Sequence, residues 1–134
     1  MKKLLLLTLA IATLTSEGYS QNRPIQRGGI IVYEKDGHGL VAAPTYFSAM
    51  LLESAKTACD TLVLNGFSDW RLPSTEELNS LYENKDKIGG FYDLDYWSST
   101  EYSNYETWGQ YFGDGRRAGY GYRNSCHFRA VRAF

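Results

Sequence analysis

The 134-residue chain is poor in the residues that usually build metal centres and nucleophilic active sites. It has two cysteines and two histidines, and the only pair of them at close spacing is Cys126 with the adjacent His127. Its formal net charge of −1 gives no electrostatic reason to expect nucleic acid or an anionic membrane as the partner. We therefore predict no metal, no cofactor and no nucleic-acid partner.

Sequence patterns for catalysis are also missing. The chain lacks the Gly-x-Ser-x-Gly, His-Glu-x-x-His and phosphate-loop motifs, so we predict that it is not an enzyme. A lectin-type calcium site needs several carboxylate and amide oxygens that converge on the ion. Asp93 and Asp95 are the nearest candidates, and without Glu-Pro-Asn or Trp-Asn-Asp motifs they do not predict such a site.

Long apolar runs are confined to the start of the chain. Lys2 and Lys3 precede an apolar run over residues 4–14, which is too short to cross a bilayer, since crossing needs about 20 residues. We predict that residues 1–20 are a cleavable signal peptide, with a buried N-terminal helix as the alternative. A mature domain over residues 21–134 would then be secreted, periplasmic or at the cell surface, with no stable membrane insertion after cleavage.

Turn and capping residues divide the first half of the mature chain. Asp36-Gly37 predicts a hairpin between short strands at residues 30–33 and 40–43. The spacing of apolar residues predicts a helix over 48–64, which Asn65-Gly66 would end.

A second helix is predicted by a capping box. Ser74 and Glu77 have the spacing for reciprocal side-chain to backbone hydrogen bonds, and the helix would run to about Asn84, followed by a loop over 85–93. The remainder has β patterning, with a turn at Gly113-Asp114-Gly115. The expected strands cover residues 96–99, 107–112, 116–120 and 127–132. The sequence therefore predicts one α+β domain.

The two cysteines are placed to join the first helix to the end of the chain. Cys59 lies on the predicted helix and Cys126 borders the last predicted strand. A disulfide between them would close a loop of about 70 residues and stabilise by roughly 4 kcal/mol in the chain-entropy model. We predict this disulfide, with two free buried thiols as the alternative.

Several aromatic residues are assigned to the core. Trp70 and Leu72 are expected to anchor the loop that enters the second helix, while Asp69 and Arg71 would satisfy turn amides or each other. Alternation along the strands places Trp97 and Trp108 in the core, on the same face as Phe112.

The opposite face of these strands is the predicted ligand surface. Tyr, Arg, Gly and Asn together are typical of binding loops, because Tyr offers rigid contact area and the polar residues offer adaptable hydrogen bonds. The predicted ligand-binding residues are Tyr102, Tyr105, Gly109, Tyr111, Arg116, Arg117, Tyr120, Tyr122, Asn124 and His127.

An ordered series of motifs resembles the Lcl C-terminal domain family. It consists of Gly39-Leu-Val-Ala-Ala-Pro44, Gly66-Phe-Ser-Asp-Trp-Arg-Leu-Pro-Ser74, Tyr96-Trp-Ser-Ser-Thr-Glu101 and Arg129-Ala-Val-Arg132. The resemblance implies a C-type-lectin-like fold, related to that of formylglycine-generating enzymes, with two helices on a small mixed or antiparallel sheet and the terminal strands close together. It also implies a role in adhesion and ligand binding.

A narrower resemblance concerns residues 102–127. This segment, followed by Phe128-Arg-Ala-Val-Arg-Ala-Phe134, is similar to the variable region of proteins diversified by retroelements. We thus expect a secreted module that binds a protein or glycan on another cell or surface. The alternatives are an enzyme of the formylglycine-generating type and a structural surface protein without a dedicated ligand.

Overall fold

The computed structural model describes residues 23–134, so the predicted signal peptide lies outside the described residues. In this range the chain is an α+β domain, as predicted, with strands before and after a helical segment. The strands are β1 Ile30–Lys35, β2 His38–Ala42, β3 Phe47–Met50, β4 Asp95–Ser103, β5 Glu106–Tyr111, β6 Arg117–Gly121, β7 Cys126–Phe128 and β8 Val131–Ala133. The helices are α1 Leu52–Thr61, α2 Thr75–Glu83 and α3 Lys85–Ile88.

A three-stranded sheet in the order β1-β2-β8 joins the two ends of the domain. The hairpin turn at Asp36 and Gly37 is formed as predicted, with φ values of 54° and 81° that suit a tight two-residue turn. On its other side β2 pairs antiparallel with β8, with Leu40 opposite Ala133. The N-terminal and C-terminal strands are therefore close together, as expected.

A five-stranded sheet in the order β3-β7-β4-β5-β6 forms the rest of the β-structure. It is mixed, because β4 and β7 pair in parallel while the other pairs are antiparallel. Its central strand β4 is buried on both faces, since the consecutive residues Tyr96 and Trp97 point to opposite sides and are both fully buried. Trp97 packs in one core with Cys59 of α1, and Tyr96 packs in the other with Leu78 of α2.

The first helix is shorter than predicted. Residues 47–50 form β3 instead, because Phe47 and Met50 pair with Phe128 and Cys126 of the distant strand β7. The helix ends at Thr61, and Asn65 with Gly66 takes left-handed φ values of 53° and 84° in a separate turn between bridged Leu64 and Phe67.

Two further predictions are corrected in the second half of the chain. The expected loop over 85–93 begins with the short helix α3. The expected strand over 127–132 is two strands, because the chain leaves the five-stranded sheet at Phe128 and joins the three-stranded sheet at Val131. The intervening Arg129 and Ala130 are both buried at this crossing.

The predicted capping box is present at the start of α2. Ser74 accepts a hydrogen bond from the Glu77 amide, and the Glu77 carboxylate accepts one from the Ser74 amide at 2.8 Å. Arg71 adds two hydrogen bonds to the same carboxylate at 2.7 and 2.9 Å, so it pairs with Glu77 and not with Asp69. Burial opposes ionisation of Glu77, but the hydrogen bonds from Arg71 and Ser74 outweigh it and lower its pKa.

Asp69 instead ties its loop to the last strand. Its carboxylate accepts hydrogen bonds from Arg132 at 2.7 and 3.3 Å, and the Arg132 guanidinium lies 3.7 Å from the centre of the Phe67 ring. The hydrogen bond from Arg132 lowers the pKa of Asp69. As predicted, Trp70 and Leu72 are buried and anchor this loop.

The predicted disulfide is wrong for this structure. Cys59 and Cys126 share one core but are free thiols, which was the alternative expectation. Burial raises the pKa of Cys59 to about 11 and that of Cys126 to about 12, and Asp60 and Asp95 respectively add to the shifts. Both sulfurs are therefore protonated thiols over the ordinary pH range, a form that is a poor nucleophile.

Thiol titration should detect this burial. We expect neither cysteine of the native protein to react with a disulfide reagent such as DTNB within minutes at mildly alkaline pH, because the thiolate is scarce and shielded. Both should react at once in guanidinium chloride. Rapid labelling of the native protein, or fewer than two thiols after denaturation of a non-reduced sample, would contradict the assignment.

Candidate functional site

The predicted ligand residues do not form one face. Trp108 and Gly109 are consecutive in β5, so their side chains lie on opposite sides of the sheet. A Cβ at Gly119, which pairs with Trp108, would lie 2.6 Å from the Tyr102 ring, whereas a Cβ at Gly109 would lie 2.8 Å from the Tyr120 ring. Tyr102 and Tyr120 therefore cover opposite faces of the β5–β6 pair.

The end of the sheet formed by the β4–β5 turn and the β6–β7 loop carries the most exposed tyrosines of this segment. Tyr105 is 68% exposed, Tyr122 is 55% exposed, and their ring centres are 6.1 Å apart in an edge-to-face arrangement. Tyr102 is 51% exposed and packs edge-to-face on Trp108 at 4.4 Å. We call these three tyrosines the tip surface.

Short hydrogen bonds hold the loops that carry the tip surface. The Ser103 hydroxyl accepts a bond from the Tyr105 amide at 3.3 Å, which shapes the β4–β5 turn. The Asn124 side-chain oxygen accepts a bond from the Gly121 amide at 2.8 Å, which closes the start of the β6–β7 loop. Asn124 is thus brought to the same end as Tyr122, and it supports the loop through its side chain.

A cleft of about 160 Å³ opens beside the tip surface, between the tip and α1. The strands and their turns supply most of its lining, and the start of α1 closes the other side. The lining residues are Leu52, Glu53, Lys56, Ser99, Glu101, Ser103, Asn104, Tyr105, Glu106, Thr107, Tyr120 and Tyr122.

Sequence reasoning missed the α1 side of this cleft. The α1 residues are about fifty residues away from Tyr105 in the chain. Glu53 and Lys56 have the spacing of a solvated helix face, and Leu52 is buried. The acidic residues Glu101 and Glu106 were also passed over, although they flank the predicted Tyr102 and Tyr105.

Tyr120 and Gly109 have a packing role. The Tyr120 ring covers the buried Gly109, and its hydroxyl donates a 2.6 Å hydrogen bond to Asp95. Burial, together with this bond, raises the pKa of Tyr120. The ring also meets Trp97 edge-to-face at 6.1 Å, so only part of Tyr120 borders the cleft.

The remaining predicted residues lie away from the tip. Tyr111 and Arg116 flank the turn at the other end of β5, where the guanidinium lies 5.3 Å from the ring centre and also pairs with Asp114 at 3.2 Å. Arg117 is exposed at the start of β6, opposite Gln110. These residues are too far along the strands to share a small ligand with Tyr105.

His127 belongs to another aromatic group. Its ring centre lies 5.4 Å from that of Tyr46 and 6.3 Å from that of the buried Tyr96. Burial lowers the pKa of His127 and Asp95 opposes this shift, so the imidazole is neutral at neutral pH. The structure therefore places His127 beside β3 and β4 and not at the tip.

Neither a metal centre nor a membrane-spanning helix is found among the described residues. Within residues 23–134, no three His, Cys, Asp or Glu side chains are grouped closely enough to hold a metal ion. Over the same residues, none of the helices is both long enough and apolar enough to span a membrane.

These features define a small α+β domain in which a mixed sheet presents a tyrosine-bearing end and a shallow cleft. The family model of the Lcl C-terminal domain matches residues 26–132, which is most of the chain, and the protein therefore belongs to the Lcl C-terminal domain family. The motif series that suggested this family lies wholly within the matched residues. A search of curated proteins gave no match to the chain.

Proposed function

We propose that the protein is a secreted ligand-binding or adhesion module that contacts its ligand through the tip surface. The observation that carries the proposal is the contact between the rings of Tyr105 and Tyr122, 6.1 Å apart at the end of the sheet where Tyr102 is also exposed, each of the three at least half exposed. Tyrosine combines a large apolar ring with a polar hydroxyl and loses little conformational entropy on binding. A protein or glycan on another cell or surface is the ligand that such a surface suits.

The proposal includes a C-type-lectin-like fold for the domain. Its support is the pairing of the N-terminal hairpin with the final strand and the packing of α1 and α2 on opposite faces of β4. The proposed location is outside the cytoplasm, following removal of residues 1–20.

Binding is favoured over the enzyme alternative by the state of the cysteines. Chemistry of the formylglycine-generating type would need reactive thiols, whereas burial raises the pKa of both thiols in this protein. The structural alternative, a surface protein without a ligand, would require the tip tyrosines to be covered permanently by another subunit.

Retroelement diversification of residues 102–127 remains part of the proposal in a narrower form. Exposed positions such as Tyr105, Arg117 and Tyr122 could change without loss of packing. Gly109 and Gly119 could not, because any side chain there would overlap a tyrosine ring. A reverse transcriptase gene and a near-copy of these codons in the neighbouring DNA would support diversification, and the absence of both would reject it.

Removal of the rings of Tyr105 and Tyr122 should weaken binding strongly. The domain would be tested by biolayer interferometry against a panel of immobilised glycans and extracellular matrix proteins. On any surface that the wild type binds, Tyr105→Ala with Tyr122→Ala is expected to weaken affinity at least about thirty-fold, because ring truncation at a binding hot spot costs about 2 kcal/mol or more.

The matched control removes two exposed tyrosines that lie elsewhere. Tyr33 and Tyr92 are 48% and 52% exposed, and neither lines the cleft. Tyr33→Ala with Tyr92→Ala should therefore leave affinity unchanged. Equal losses in both double variants, or none in the tip variant, would refute the assignment of the binding surface.

A further inference from the structure

The cleft beside the tip surface has an unbalanced charge. Its lining includes three carboxylates, from Glu53, Glu101 and Glu106, but only one ammonium group, from Lys56. At neutral pH the lining therefore carries two more negative charges than positive ones. Such a field attracts cations and repels anionic groups.

The two carboxylates nearest to the tip are the ones without a cation. The Lys56 Nζ lies 3.3 Å from the carboxylate of Glu53, three residues earlier in α1, so these two charges form an ion pair. Among the described residues, the Glu106 carboxylate accepts a hydrogen bond only from the neutral Ser103 hydroxyl, at 3.3 Å. Within residues 23–134 neither Glu106 nor the exposed Glu101 forms an ion pair.

The tyrosine rings beside these carboxylates also favour a positively charged ligand. A cation over the face of a tyrosine ring is attracted by the negative face of the ring's quadrupole. The protein already uses this contact at the other end of the sheet, where Arg116 lies over Tyr111. In the described part of the chain no such cation covers Tyr105 or Tyr122.

We infer that the cleft binds a lysine or arginine side chain from an extended segment of a partner protein. In this arrangement the rings of Tyr105 and Tyr122 contact the aliphatic stem and the charged head group of that side chain. The carboxylates of Glu101 and Glu106 surround its positive charge. This inference rests on the proposed function and names the ligand class of that surface. A neutral sugar would also pack on the rings, but it would leave both carboxylates uncompensated. The cleft volume suits one long side chain and is too small for a folded element.

The test uses peptides of defined charge. A capped peptide of three Gly-Ser-Arg repeats is titrated into the isotopically labelled full domain, and binding is followed by NMR chemical shifts. Matched peptides carry Gln or Glu in place of Arg. We expect saturable shifts at Tyr105, Tyr122 and their neighbours with the Arg peptide, weaker binding at higher salt, and no saturation with the Gln or Glu peptides.

Replacing Glu by Gln removes the charge and keeps the shape, so it tests whether the carboxylates of the cleft bind the Arg peptide. Glu101→Gln with Glu106→Gln should weaken the Arg peptide about five-fold, because two partly exposed ion pairs are worth about 1 kcal/mol together. The control, Glu76→Gln with Glu83→Gln, removes two exposed charges of α2 that do not line the cleft and should change nothing. Equal weakening by both variants would overturn the inference, because it would indicate attraction to net charge only.

The outcomes separate this inference from the proposed function. If the Gln peptide binds as well as the Arg peptide, or if only a neutral glycan binds in a manner that requires Tyr105 and Tyr122, the tip surface still binds and the charge inference is wrong. If the Arg peptide binds and Tyr105→Ala with Tyr122→Ala has no effect on it, the ligand is held elsewhere and both are wrong.

Discussion

Arg129→Ala should lower the free energy of unfolding by about 3 kcal/mol. The guanidinium of Arg129 is completely buried, and it donates hydrogen bonds to the carbonyls of Ala43, Gly89 and Gly90 at 2.6, 3.1 and 3.2 Å. It also lies 4.3 Å from the centre of the Phe91 ring. Truncation would leave three carbonyls without their donor and open a cavity where the chain crosses between the two sheets.

The loss is expected to be smaller than three broken hydrogen bonds would indicate. Within residues 23–134 Arg129 has no carboxylate partner, and burial lowers its pKa to about 10, so removal of the charge also relieves a desolvation cost. Urea unfolding followed by circular dichroism would measure the difference. Arg117→Ala, which removes an exposed arginine of β6, is the control and should change stability by less than about 0.5 kcal/mol.

A second variant keeps the test decisive if Arg129→Ala does not fold. Arg129→Lys retains the charge and most of the volume, but a single ammonium cannot reproduce the planar fork of donors that reaches three carbonyls. It should fold and be less stable than the wild type. Wild-type stability in the lysine variant would mean that charge alone matters at this position.

Trp97→Ala is expected to be the most destabilising change in the five-stranded sheet, at about 4 kcal/mol. The indole is completely buried, and its Nε1 donates a 2.8 Å hydrogen bond to the Met50 carbonyl at the end of β3. The variant would lose the packing between α1 and the sheet as well as the link from β4 to β3. The same unfolding measurement reports the loss.

Trp108→Ala is the matched comparison, since it removes the same side chain from the neighbouring strand. Trp108 is only half-buried, and its main contact is the exposed Tyr102. We expect a cost of about 1 kcal/mol, in line with burial of a part of the ring. Similar losses for the two tryptophans would contradict the unequal burial seen here.

The comparison of these tryptophans illustrates what the sequence could predict. Alternation placed Trp97 in the core, which is confirmed, but it wrongly put Trp97 on the same face as Trp108 and Phe112. Trp97 pairs with Gly109 and packs in the other core from Phe112. Alternation could not tell that Trp108 would stay partly exposed beside the Tyr102 ring, because β6 is an edge strand whose Gly119 offers no side chain to pack on the indole. The burial of a side chain depends on the residues of the neighbouring strand, and the pattern of a single strand holds no information about them.

Local chemistry was predicted well and distant pairing was not. The Asp36-Gly37 turn and the capping box at Ser74 each depend on residues within four positions, and both are formed. Residues 48–50 were assigned to a helix because the partners of β3 lie about eighty residues later in β7. The cleft has the same origin, since it joins α1 to the β4–β5 turn only after folding.

The three-stranded sheet has a mechanical consequence for a module proposed to act at surfaces. Since β2 is antiparallel to both β1 and β8, the two outer strands run parallel to each other. A pull on the chain before β1 and after β8 would therefore load both strands lengthwise in opposite directions, so that their ladder bonds share the force and do not open one by one. The ends of the domain are therefore arranged to resist extension by shear.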